Sequence, residues 1–108
     1  MVVLGISGSS AHSRRTRALI ELTLEGARQL GDVQTDLVDL AETPVEFADG
    51  RKPEQYNAGT QAVLAKIRRA DAFVLGTPMY RGGMTGALKN LIDVVPKEYM
   101  AGKAAALI

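Results

Sequence analysis

A chain of 108 residues is long enough for one domain, and its 46% hydrophobic and 23% charged residues are typical of a globular protein. The formal charge of +1, from 13 basic and 12 acidic residues, excludes a large field that would attract nucleic acid or an anionic membrane. The absence of cysteine excludes disulfides and thiolate zinc sites, and it is compatible with the cytoplasm, where we expect this protein.

Short apolar runs alternate with longer segments of helical periodicity, which predicts a doubly wound parallel sheet with helices on both faces. In chain order, the predicted elements are strand 2–6, helix 16–30, strand 33–40, helix 59–69, strand 72–76, helix 84–95 and strand 103–108. The first and third strands are continuous apolar runs, as in central strands buried on both faces. Polar residues interrupt 33–40, which is therefore expected near a sheet edge.

The third helix has the clearest periodicity of the chain. Its apolar stripe, predicted to face the sheet, consists of Met84, Ala87, Leu88, Leu91, Ile92 and Val95. The opposite face carries Lys89, Asn90 and Asp93. Because the fourth strand ends the sequence, we expect a single domain, 1–108, that represents the N-terminal portion of a fold truncated after its fourth strand.

The first loop, SGSSAHSRRT at 7–16, leads from a strand into a helix and contains five hydroxyl side chains and two adjacent arginines. Helix N-terminal amides and hydroxyl donors favour a phosphate at such a position. The loop lacks the lysine of the Walker A motif and the three glycines of GxGxxG, so a terminal monophosphate suits it better than a triphosphate. A serine-rich helix cap with solvated arginines is an equally good interpretation of this loop alone.

The second loop, GTPMYRGG at 76–83, contains no nucleophile, general base or metal ligand. Its Gly82 and Gly83 allow positive φ or close backbone approach, and Pro78 follows an extended exit from the strand. A plain turn before a core helix is the alternative. Together, however, the two loops could bind both ends of a phosphorylated planar cofactor, and flavin mononucleotide (FMN) is such a molecule.

At this point the sequence resembles the NADPH-dependent FMN reductases, which have a flavodoxin-like three-layer α/β/α fold. The similarity covers the whole chain and is most specific in GTPMYRGGMTGALKNLID, at 76–93. Within this segment, the matching residues are Pro78, Tyr80, Gly86, Ala87, Leu88 and Lys89. The branch that it resembles most supplies reduced flavin to two-component monooxygenases.

The resemblance implies FMN as cofactor, NADPH or NADH as hydride donor, and no catalytic side chain, since the flavin carries the chemistry. It places the FMN phosphate among Ser9, Ser13, Arg14, Arg15 and Thr16. It places the isoalloxazine against Pro78, Met79, Tyr80, Arg81 and Gly82. The sequence departs from the family in having Ala11 where many members have arginine, and in lacking a third, glycine-rich loop after the fourth strand, so we expect these 108 residues to bind flavin weakly.

The resemblance leaves the final electron acceptor open. An FMN-retaining quinone or azo reductase and a non-enzymatic flavodoxin-like electron carrier are the alternatives to a flavin reductase with a monooxygenase partner. The family's habit also implies a homodimer or homotetramer. Two other classes fit poorly: a receiver domain needs an aspartate where Thr77 stands, and a dinucleotide-binding dehydrogenase that used Asp39 on a ribose would need GxGxxG.

Overall fold

The computed structural model of the protein describes residues 1–9 and 14–108. Within these residues the elements are β1 (Val2–Ser7), α1 (Arg15–Arg28), β2 (Gln34–Asp39), a 3₁₀ helix (Pro53–Gln55), α2 (Ala58–Arg69), β3 (Ala72–Gly76), α3 (Gly86–Val94), a second 3₁₀ helix (Lys97–Tyr99) and β4 (Ala104–Leu107). The strands and α-helices match the sequence prediction in order and type. None of the described helices is long and apolar enough to cross a membrane.

The four strands form one sheet in the order β2-β1-β3-β4, and every neighbouring pair is parallel. This order is that of a flavodoxin-like doubly wound sheet, with β1 and β3 in the centre and β2 at an edge, as predicted. The register places Ser7 opposite both Asp39 and Gly76. Because β1, β2 and β3 end level with one another, the loops that follow them leave from one edge of the sheet.

Side chains of β1 alternate between two cores. Leu4 and Ile6 pack with buried residues of α2 and α3, whereas Val3 packs with Ile20 and Leu24 of α1 on the opposite face. A β-strand sends successive side chains to opposite faces, so an apolar run such as VVLGI supplies both layers at once. The helices therefore cover both faces of the sheet, α1 on one and α2 with α3 on the other.

Helix α1 lies unusually close to the sheet because two glycines face it. A Cβ atom on Gly5 would lie 2.5 Å from Cγ2 of Ile20, and one on Gly76 would lie 2.7 Å from Cδ1 of the same residue. Side chains at these positions would separate the helix from β1 and β3. The two glycines thus let Ile20, in the second turn of α1, approach both central strands.

The prediction for the stripe of α3 is wrong at two residues. Met84 and Ile92 are exposed, whereas Val94 is buried with Leu88 and Leu91. Met84 lies outside the helix, which begins at Gly86. Ile92 lies at the margin of the stripe, because the centre of the buried face runs from Leu88 through Leu91.

Side-chain hydrogen bonds fix the segment between β2 and α2 in place. The backbone N–H of Glu46 donates to Oγ1 of buried Thr60 at 3.1 Å, and the Glu46 carboxylate accepts from the N–H of Asn57 at 2.6 Å. Asn90 of α3 donates to the carbonyl of Glu46 and accepts from the N–H of Ala48, both at 2.9 Å. Asn90 is therefore half-buried and structural rather than a solvated residue of the outer helix face.

Strand β4 differs from the other three in its surroundings. It pairs with β3 along one edge, and no described strand pairs with its other edge. All four of its residues are exposed. The predicted fourth strand is thus present, although the described part of the chain does not cover it with a helix.

Candidate functional site

The loops that follow β1 and β3 are joined by two hydrogen bonds. The backbone N–H of Gly8 donates to the carbonyl of Gly76 at 2.7 Å. The carbonyl of Gly8 in turn accepts from the hydroxyl of Thr85 at 2.5 Å, and Thr85 is almost completely buried. Both backbone polar groups of Gly8, in the first loop, are therefore paired: the N–H with the end of β3 and the carbonyl with the residue that precedes α3.

Apart from the helical bond that its carbonyl accepts from Lys89, Thr85 has three hydrogen bonds with different structural effects. Besides donating to Gly8, its hydroxyl accepts from the N–H of Leu88 at 3.1 Å and so forms the N-cap of α3. Its own N–H donates to the hydroxyl of Thr77 at 3.2 Å, which ties the end of the second loop to its beginning. The hydroxyl of Thr85 thus starts α3 and holds the first loop beside it, and its backbone N–H closes the second loop.

The middle of the second loop is a two-residue hairpin turn. Tyr80 and Gly83 exchange backbone hydrogen bonds of 2.9 and 3.0 Å, while the central residues Arg81 and Gly82 have φ angles of 49° and 79°. Positive φ at both central residues defines a type I′ turn. Gly82 therefore has the positive φ that the sequence predicted for a glycine here, whereas the left-handed conformation of Arg81 was not predicted.

The hairpin presents apolar and peptide groups to solvent. Met79 is 78% exposed and Tyr80 is 48% exposed, and the preceding Pro78 is half-buried. Such a surface offers apolar area beside backbone donors and acceptors, which suits a flat heterocycle. The described residues of the protein contain no cluster of three or more side chains that could hold a metal ion.

The residues predicted for the phosphate occupy different environments. Ser9 is buried directly after β1, and Arg14 and Arg15 are exposed at the start of α1. Thr16 is half-buried, with its methyl group 3.0 Å from where a Cβ on Gly76 would stand. Two residues discussed above for this loop, Ala11 and Ser13, lie outside the described residues.

Arg17, which the sequence did not single out, links α1 to the segment after β2. Its guanidinium donates to Glu21 at 2.8 Å, to Asp39 at 3.0 Å and to Glu42 at 2.6 Å. Hydrogen bonds with Glu21 and then Asp39 raise the pKa of Arg17 above its ordinary value. The other oxygen of Asp39 accepts from the N–H of Ala41 at 2.9 Å, so Asp39 is a loop-capping acid, as expected without GxGxxG.

This arrangement fits FMN in two respects. Two exposed arginines stand at the N-terminus of α1, where helix amides favour an anion, and the side chain of the N-cap residue Arg14 does not cap this helix. The hairpin of the second loop stands at the same sheet edge, joined to the first loop through Gly8. The edge between the two central strands is also where the winding of this kind of sheet reverses, which is the usual ligand position.

The chain is similar to known flavin enzymes over its whole length. The model of the NADPH-dependent FMN reductase family matches residues 1–108. A NAD(P)H-dependent FAD/FMN reductase of Geobacillus thermodenitrificans is 36% identical over 108 residues, which are 100% of this chain and 58% of the relative. An FMN-dependent NADPH-azoreductase of Staphylococcus saprophyticus is 35% identical over 107 residues, which are 95% of this chain and 56% of the relative.

A solved structure shows the same likeness in three dimensions. The apo form of the NADH:FMN oxidoreductase EmoB superimposes with a TM-score of 0.79 and 26% identity, covering 96% of this chain and 55% of that one. The chain thus spans little more than half the length of the relatives that it matches. The match of the family model to every residue confirms the resemblance read from the sequence, and the chain belongs to the NADPH-dependent FMN reductase family.

Proposed function

We propose that this protein reduces FMN with NADPH or NADH. The observation that carries the proposal is the pair of hydrogen bonds at Gly8, which holds the first loop against the second at the C-terminal edge of β1 and β3. Relatives named as FAD/FMN reductase and NADH:FMN oxidoreductase support it. When bound, FMN supplies the ring that accepts and passes on hydride, so the protein contributes binding, orientation and electrostatics.

The residues have separate roles in this proposal. In the first loop, the phosphate is bound by Ser9, Ser13, Arg14, Arg15 and Thr16. In the second loop, the ring rests on Pro78, Met79, Tyr80, Arg81 and Gly82. Because the type I′ turn fixes Arg81 and Gly82 by two cross-turn hydrogen bonds, the backbone groups of this hairpin are oriented before the ligand arrives.

Reduction of an azo compound is the second candidate, because a relative at 35% identity is named as an FMN-dependent NADPH-azoreductase. The proposal also includes delivery of reduced FMN to a monooxygenase or reduction of a quinone. It further includes assembly into a homodimer or homotetramer and a cytoplasmic location. The exposed Met84 and Ile92 of the α3 region are compatible with an interface between copies. These activities, the assembly and the location are properties of the protein at its full natural length and are tested on it.

The proposed function predicts that the protein at its full natural length oxidises NADPH or NADH only when FMN is added, and that it is colourless after gel filtration. Loss of the nicotinamide absorbance in steady state measures this. A yellow protein that retains FMN and then consumes an azo dye or a quinone would favour a reductase with a bound flavin. No oxidation above background with either nucleotide, with or without FMN, would refute the proposal.

The arginine pair gives a sharper prediction for the phosphate. Replacing Arg14 and Arg15 together with glutamine should weaken FMN binding by about tenfold or more, because a charge-assisted contact contributes roughly 1.5–3 kcal/mol. Riboflavin, which lacks the phosphate, should bind as before. The matched control replaces Arg68 and Arg69, an adjacent exposed pair at the end of α2, and should change neither affinity. Equal losses for FMN and riboflavin would show that the first pair does not bind the phosphate.

A further inference from the structure

Glu42 places a negative charge beside the predicted phosphate site. Its Oε1 atom lies 2.6 Å from Nη1 of Arg17 and 3.9 Å from Nη1 of Arg14. Glu42 belongs to the segment that follows β2, at the same sheet edge as the two loops. An acidic side chain therefore already contacts one of the arginines assigned to the phosphate.

Arg17 holds the Glu42 carboxylate in this position. The guanidinium of Arg17 binds Glu21 and Asp39 in addition to Glu42. With one guanidinium for three carboxylates, this group has a formal charge of −2. Arg17 is thus engaged with protein carboxylates, and the cluster repels an anion instead of attracting one.

We propose that Glu42 is a specificity-determining residue that competes with the FMN phosphate for Arg14 and so keeps FMN exchangeable. This inference rests on the proposed function. A phosphate monoester carries a charge of about −1.5 to −2 at neutral pH, so binding it near Arg14 must overcome both the Arg14–Glu42 contact and repulsion from the Glu42 carboxylate. A substrate flavin must leave after reduction, and a competing carboxylate lowers its affinity without removing the phosphate contacts.

The test is the affinity of flavins for the Glu42→Gln protein at its full natural length, measured by quenching of flavin fluorescence. Because the Arg14 and Glu42 side chains are 75% and 55% exposed, the contact is screened by water, and FMN should bind about two- to fivefold more tightly. Riboflavin should bind as it does to the wild type. The gain should shrink as the ionic strength rises.

Three variants separate competition from a structural effect. Glu25→Gln removes the same charge from an ion pair with Arg28 near the other end of α1 and should not change FMN affinity. Glu21→Gln also removes a partner of Arg17, but Glu21 has no ion pair with Arg14, so it should not reproduce the full gain. In the double variant with Arg14→Gln, the Glu42→Gln change should tighten FMN binding less than it does when Arg14 is present, because only the repulsion of the phosphate by Glu42 is left to remove.

The outcomes are distinct. An FMN affinity that is unchanged or weaker in Glu42→Gln, or a gain that riboflavin shares equally, would overturn the role of Glu42 while leaving the proposed function intact. A gain that is just as large without the Arg14 guanidinium would overturn it as well. A wild-type protein that binds neither flavin would refute the proposed function, and this inference with it.

Discussion

Replacing Thr85 with valine should lower the free energy of unfolding by about 2–4 kcal/mol and weaken flavin binding. Valine keeps the shape of threonine but removes the hydroxyl that donates to Gly8 and accepts from Leu88. A buried polar group without a partner costs roughly 1–3 kcal/mol, and here a carbonyl and an N–H both lose theirs. Urea denaturation measures the stability, and fluorescence titration with FMN measures the affinity for flavin.

The matched control is Thr85→Ser, which keeps the hydroxyl and removes only a methyl group. Serine is as good an N-cap as threonine, so the three hydrogen bonds should persist and the loss should stay within about 1 kcal/mol. Riboflavin and FMN should both bind less tightly to the valine variant, because the whole second loop moves relative to the first. A valine variant as stable as the serine variant would show that the Gly8 contact contributes little.

Thr85 also shows why sequence periodicity located α3 but not its beginning. Met84 continues the apolar spacing of Leu88 and Leu91, so the pattern extended the helix past its cap. In the structure Thr85 has an extended backbone, and its side chain takes the place of the missing intrahelical partner. A threonine directly before a helical segment is a recognisable capping signal, but the signal does not reveal that the same hydroxyl reaches Gly8, 77 residues earlier.

The order of strands and helices could be predicted because each element has its own hydrophobic periodicity and is bounded by residues that end helices and strands. Side-chain contacts between elements could not, because they depend on the register of the sheet. The carboxylates around Arg17 come from α1, from the end of β2 and from the segment after it. Only the pairing of Ser7 with Asp39 brings those residues beside the first loop. The sequence therefore predicted a basic pair at the phosphate site and missed the acidic cluster beside it.

The second large effect is expected at Gly8. A Cβ added there would lie 2.9 Å from Cβ of Leu88 and 3.1 Å from the carbonyl oxygen of Gly76. Neither atom is the end of a flexible side chain, so Gly8→Ala must push α3 away from the first loop and lengthen the hydrogen bond from Thr85. Overpacking of this kind costs about 1–3 kcal/mol, which urea denaturation will detect. FMN affinity should fall with stability, because the displacement separates the two loops that form the proposed flavin site.

The control for Gly8 is the glycine of α1 at position 26, where no atom lies within 4 Å of an added Cβ. Alanine is the better helix former, so Gly26→Ala should stabilise the protein by about 0.5–1 kcal/mol and leave flavin binding unchanged. Opposite signs for the same substitution at the two sites would show that the effect at Gly8 comes from close packing against α3. A Gly8→Ala variant with wild-type stability and FMN affinity would mean that α3 tolerates displacement from the first loop, and the two loops would then not need the tight junction that the proposed flavin site depends on.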